Sequence, residues 1–147
     1  MTPHPPALNG TDHAKIVALT SLYAHCLDRH DWAGLARVFA PGATMEFAGL
    51  PAATGPDAIG TVCAGALEPL AASQHLIGSP LVETTGGTVT VSSYFQAQHV
   101  KVLDGREALF TIAGTYVDQV ERRPEGWRIS LRRQSVTWQA GDPRVLY

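Results

Sequence analysis

The turn signals crowd into one half of the chain, and that asymmetry constrains the fold more than any other feature. Thr85-Gly86-Gly87, Asp104-Gly105 and Pro124-Glu125-Gly126 divide the second half into four long runs with strand character. These runs are Gln74 to Glu83, Thr88 to Val102, Ala108 to Arg122 and Trp127 to Trp138. The first half reads differently. Ile16, Leu19, Tyr23, Cys26 and Leu27 recur at three- and four-residue steps, which predicts a helix from Asp12 to Arg29–His30. Thr11 is its expected N-cap. Asp31 is expected to cap a second, short helix, Trp32 to Phe39, stopped by Pro41-Gly42. Ala43 to Phe47 is a short strand and Leu50 to Pro56 a loop. A third helix runs from Pro56 to about Leu70. Helices first, then an antiparallel meander, is an α+β arrangement with helices packed on one face of the sheet. Long strands need twist and bulges to curl around a helix layer. The expectation is a cone-shaped curved sheet with three N-terminal helices enclosing a pocket.

One domain fits the 147 residues. Residues 1–10, with three prolines, read as a flexible lead-in, residues 11–140 as the domain and residues 141–147 as a tail. Hydrophobic residues make up 45% and charged residues 16%, which argues against disorder. With Lys+Arg 11 against Asp+Glu 13, no basic excess exists to hold a phosphate backbone, so nucleic acid is not an expected partner. No apolar run approaches the roughly 18 residues of a membrane span. The opening MTPHPPALNG has neither the basic nor the apolar region of a secretory signal, so a cytoplasmic protein is expected. Cys26 and Cys63 read as buried reduced thiols. The six histidines show no metal-ligand spacing, and Gly49 to Gly60 lacks a P-loop lysine, so neither metal nor cofactor is expected.

Ionisable residues that share a face with the core mark the candidate chemistry. On Thr88 to Val102 the odd positions Val89, Val91, Phe95 and Ala97 form the apolar set, and His99 falls with them. His75 shares a face with Ile77. Asp28 lies in the last turn of the first helix, where the helix dipole disfavours an anion, and has no capping duty there. Tyr23 lies on the apolar stripe near the same helix end, and a buried phenol needs a partner. Brought together, Tyr23, Asp28, His75 and His99 make a proton-transfer site. A carboxylate fixes the imidazole tautomer, and the histidine takes or gives a proton near neutral pH. The competing reading is a solvated Asp28 and two hydrogen-bonded core histidines. Arg132 and Arg133 alternate across the sheet: either one faces the pocket and the other solvent or a partner subunit, or, the favoured reading, both are solvated. Val136 and Trp138 form an apolar patch on the outer face, and a homo-oligomer, trimer or dimer, is expected.

Four stretches carry a resemblance to a known family: Tyr23 to Asp28 with Asp31-Trp32, Gln74 to Gly78, Ser93 to His99, and Glu125 to Trp138. Together they resemble the SnoaL-like branch of the NTF2-like superfamily, within it the scytalone dehydratase type, over about Asp12 to Trp138. The resemblance implies Asp28 as the pocket aspartate, His75 as the acid/base and His99 as the second histidine, paired with that aspartate. It also implies Trp32, Phe47, Tyr94 and Thr115 as substrate contacts, with Thr115 near the family's pocket serine. The family's two ketone-facing tyrosines are Leu27 and Phe47 here, so Tyr23 is the candidate to replace them. The Tyr23–Asp28 spacing is similar to that of the bile acid 7α-dehydratase group. The implied function is a cofactor-free lyase that dehydrates a small, apolar-bodied cyclic hydroxy-carbonyl compound such as a polyketide or steroid. A polyketide cyclase, a ketosteroid-type isomerase and a non-catalytic ligand-binding module are the alternatives.

Overall fold

The computed structural model describes residues 7–147. Helix α1 spans Gly10–Asp28. A 3-10 turn at Ala33–Arg37 follows, then strand β1 at Phe39–Glu46, β2 at Ala53–Thr54 and helix α2 at Pro56–Leu67. Four long strands complete the sheet: β3 Ala72–Thr85, β4 Thr88–Leu103, β5 Arg106–Arg123 and β6 Gly126–Gly141. A second 3-10 turn, Pro143–Val145, ends the chain. The α+β class and the meander stand. The helix layer differs from expectation: two α-helices form, and the segment after Asp31 is a 3-10 turn. Asp31 still serves it, since its Oδ1 accepts the Gly34 amide at 3.0 Å.

Asn9, not Thr11, caps α1. Its Oδ1 accepts the Asp12 amide at 2.8 Å, while Asp12 Oδ2 accepts the Asn9 amide at 3.3 Å. This reciprocal pair satisfies two amides that Thr11, already inside the helix, does not reach. Residues 1–6 of the expected lead-in lie outside the described residues. At the other end His30, at φ 54, turns the chain out of the helix.

The six strands are ordered β2-β1-β6-β5-β4-β3. The pairs β3–β4, β4–β5 and β5–β6 are antiparallel, and β1 runs parallel to β6. Register shifts occur in β3 between Gly78 and Leu81 and in the β5–β6 ladder between Ala113 and Gly114 and between Gln119 and Val120. Each lets the strand bend, so the sheet curls around α1. Gly114 sits at one such shift. A Cβ there would collide with the Ser135 carbonyl oxygen, so only glycine permits this approach of β5 to β6. Ile16, Leu35, Met45, Ile59 and Ile129, all fully buried, fill the space between helices and sheet.

Residues 141–147, read as a tail, pack instead. Val145 is buried, and the Asp142 amide donates to the Leu109 carbonyl at 2.8 Å. Among the described residues no helix is long and apolar enough to cross a membrane.

Candidate active site

Alternation along β4 places Val89, Val91, Phe95, Ala97 and His99 on the concave face, as expected. Register then sets His75 of β3 opposite Ala97, one step from His99. Helix α1 packs across this part of the sheet and delivers Asp28 from its last turn. Asp28 Oδ1 lies 2.7 Å from His75 Nδ1, and Oδ2 accepts the His75 backbone amide at 3.1 Å. The His75 side chain is 6% exposed and that of Asp28 26%.

A carboxylate only accepts, so His75 Nδ1 carries the proton and Nε2 is left as the free ring nitrogen. His99 is oriented by a second acceptor: its Nδ1 lies 3.0 Å from the Phe110 carbonyl oxygen. That too assigns the proton to Nδ1. The two imidazoles stand edge to face, 6.1 Å between centroids. Burial pushes the His99 pKa below the ordinary histidine value, the Phe110 bond opposes the shift and the neighbouring His75 adds to it. His99 is therefore neutral at neutral pH. The pairing implied for Asp28 with His99 is corrected here. Asp28 holds His75, because β3 is the strand on which α1 rests.

Both rings open into a cavity of about 370 Å³, within the range of small-ligand pockets. Tyr23, Leu27, Phe47, Phe95 and Ile112 supply part of its wall, and Leu146 and Tyr147 of the last turn complete its rim. Tyr23 and Phe47 thus lie where the site was expected. The Tyr23 hydroxyl is 3.7 Å from Met45 Sδ, a weak acceptor, and burial pushes its pKa well above the usual phenol range.

Three expected substrate contacts lie elsewhere. Tyr94 is 65% exposed on the convex face, because the even positions of β4 point away from the core. Thr115 is its partner in the ladder and faces the same way. Trp32 packs beside α2, where its indole donates to Glu68 Oε1 at 2.8 Å and its ring stacks on His30.

Other residues reach the site without having been singled out. Tyr116, Cys63 and Gln134 line the cavity. Beside them Arg132 is fully buried and grips Asp118 through two bonds of 2.7 and 2.8 Å, so the favoured reading of a solvated arginine pair is corrected and the alternative, one arginine turned inward, holds. Burial pushes the Tyr116 pKa up to about 12, although the Arg132 charge opposes it. The Cys63 thiol is likewise pushed up to about 11 by burial. The signal was available: Asp118 and Arg132 follow the inward alternation of Tyr116 and Gln134 on adjacent strands, and opposite charges there call for each other.

Residues 10–133 match the model of the SnoaL-like domain family. The chain belongs to that family. No curated protein matches it. Among solved structures, this SnoaL-like chain resembles the Kfla4162 protein of Kribbella flavida, at 24% identity, TM-score 0.79, over 88% of this chain and 93% of that one. A hexachlorocyclohexane dehydrochlorinase, LinA type 2, superposes at TM-score 0.80 and 18% identity over 93% of each chain. A candidate scytalone dehydratase of Novosphingobium aromaticivorans superposes at TM-score 0.77 and 20% identity, over 90% of this chain and 88% of that one. At these identities the likeness is one of fold.

Proposed function

We propose that this SnoaL-like protein is a lyase that removes water from a small, apolar-bodied hydroxy-carbonyl compound. One observation carries the reading: a carboxylate-held imidazole, His75, with its free nitrogen at an apolar cavity. His75 Nε2 takes the proton α to the substrate carbonyl, and the C–H electron pair moves into an enolate. The enolate pair then expels the β-hydroxyl, which leaves as water with the proton returned by the His75 imidazolium. Asp28 balances the charge on that imidazolium and holds its tautomer. His99, neutral beside it, adds no repulsion, and its Nε2 accepts the substrate hydroxyl as a hydrogen bond. Tyr23 donates to the enolate oxygen. The fold shared with a dehydrochlorinase and a candidate dehydratase supports elimination chemistry on this scaffold.

The test is turnover of a panel of cyclic hydroxy-ketones with products read by mass. Loss of water from one of them, reduced roughly 10²–10⁴-fold in His75→Ala, is the expected result. Turnover unchanged within a few-fold in that variant removes His75 from the mechanism. A product of unchanged mass moves the protein to the isomerases or cyclases.

The protein is further proposed to self-associate through its convex face, where Tyr94, Val117 and Trp138 are exposed; Val136, expected with Trp138, instead pairs with Gly114 on the other face, because the bulge at Thr137 separates the two. Sedimentation as a monomer at micromolar concentration overturns that.

A further inference from the structure

Two places in the cavity carry polar groups, and only one of them holds the histidines. The other holds Tyr23 and Tyr116, whose rings meet edge to face at 5.8 Å, with Gln134 opposite Tyr116 in the ladder. Helix α1 rises about 1.5 Å per residue, so Tyr23 stands roughly 7–8 Å along the helix from Asp28. Tyr116 lies further along β5 than Phe110, the residue that orients His99. The phenols are thus displaced from the imidazoles in the same direction on both walls.

Behind the phenols sits an unusual support. The Arg132 guanidinium carbon lies 4.4 Å from the Tyr23 ring centroid and 4.2 Å from that of Tyr116. Asp118 takes two of its donors, and Nη1, fully buried, has no hydrogen-bond partner. A buried cation against both rings draws electron density from them and makes their hydroxyls stronger donors. Burial weakens phenol acidity, and Arg132 opposes that at both residues. Structural needs alone do not explain the arrangement, since an apolar pair of similar volume would fill the same space at no desolvation cost.

Among the described residues no Asp, Glu, Lys or Arg side chain lines the cavity. A carboxylate or phosphate on the ligand would therefore be buried without a counter-charge, which is costly. A neutral carbonyl fits, because phenols donate and carbonyl oxygens accept.

We propose that Tyr23 and Tyr116 form a carbonyl-oxygen subsite for an uncharged ring ketone, and that Arg132, held by Asp118, is the positioning residue that sets its strength. The ketone class rests on the lyase reading, but the subsite is tested by binding alone. The probes are α-tetralone and its hydrocarbon counterpart tetralin, measured by calorimetry, with the carbonyl stretch of bound α-tetralone read by infrared difference spectroscopy. Tyr116→Phe and Tyr23→Phe each lower the affinity for the ketone roughly fivefold and leave that for the hydrocarbon unchanged, the worth of one hydrogen bond. The stretch moves toward its value in apolar solvent. Unchanged ratios and an unchanged stretch in both variants overturn the subsite.

Exchanging the buried pair together, Asp118→Leu with Arg132→Met, leaves no lone charge. It is expected to weaken the shift of the stretch while both phenols remain. A stretch equal to that of the wild type overturns the part given to Arg132. Should that double variant not fold, Arg132→Lys decides the same point: charge without the planar fork gives an intermediate stretch, and wild-type behaviour overturns it. A surviving subsite with no elimination on any hydroxy-ketone sinks the lyase reading alone. Elimination without ketone preference sinks the subsite alone.

Discussion

Asp28 is an anion at a helix end whose dipole favours cations, and its two contacts to His75 offset that mismatch. An amide at this position accepts through one oxygen only and leaves the imidazole tautomer undefined. Asp28→Asn is therefore expected to lower turnover roughly 10²–10⁴-fold, with kcat compared at matched thermal stability as the measurement. The mismatch with the dipole was legible in the sequence, as was the inward placement of both histidines. Which histidine Asp28 would hold was not, because periodicity gives the face of a residue and not the strand a helix rests upon. His99 predicts a pH effect. Its folded pKa lies below the unfolded value of about 6.5, so the unfolded chain binds the proton first as pH falls. Its contribution to stability is full above about pH 6.5 and is lost as pH falls from there through the folded value. Denaturation midpoints that decline over this range in the wild type, and decline less in His99→Gln, are the expected outcome.

At the level of elements, the curl of the sheet depends on its register shifts. Gly114 is the sharpest case: Gly114→Ala sets a methyl group against the Ser135 carbonyl, a backbone atom with no room to retreat. The expected cost is about 1–3 kcal/mol, read from the urea midpoint. Strand alternation and turn signals made β3 to β6 legible to within a few residues. The same alternation already turned Tyr94 outward, since the odd positions of β4 carry the core, and the resemblance misled on that point. The parallel seam between β1 and β6 was hidden, because no local pattern in Phe39–Glu46 names a partner so distant along the chain. The favoured solvated reading of Arg132 fails for a related reason. A charged side chain looks solvated until its counter-charge is located on the neighbouring strand.

For the molecule as a whole, the Asp118–Arg132 pair is a buried charge couple in the interior of the cone. Removing one member strands the other. Asp118→Ala is expected to destabilise the fold by about 3–5 kcal/mol in chemical denaturation, whereas the combined Asp118→Leu, Arg132→Met exchange recovers most of that loss. The closing residues matter on the same scale, for Val145 seats them and Tyr147 borders the cavity mouth. The double donation to Asp28 reaches beyond chemistry. One oxygen steadies the His75 ring, and the other moors the margin of the sheet, at the backbone of β3, to the first helix. Replacing Asp28 thus also slackens a wall of the chamber. A descendant that lost this carboxylate would inherit a looser vessel, and a sealed one would demand a fresh tether between strand and helix.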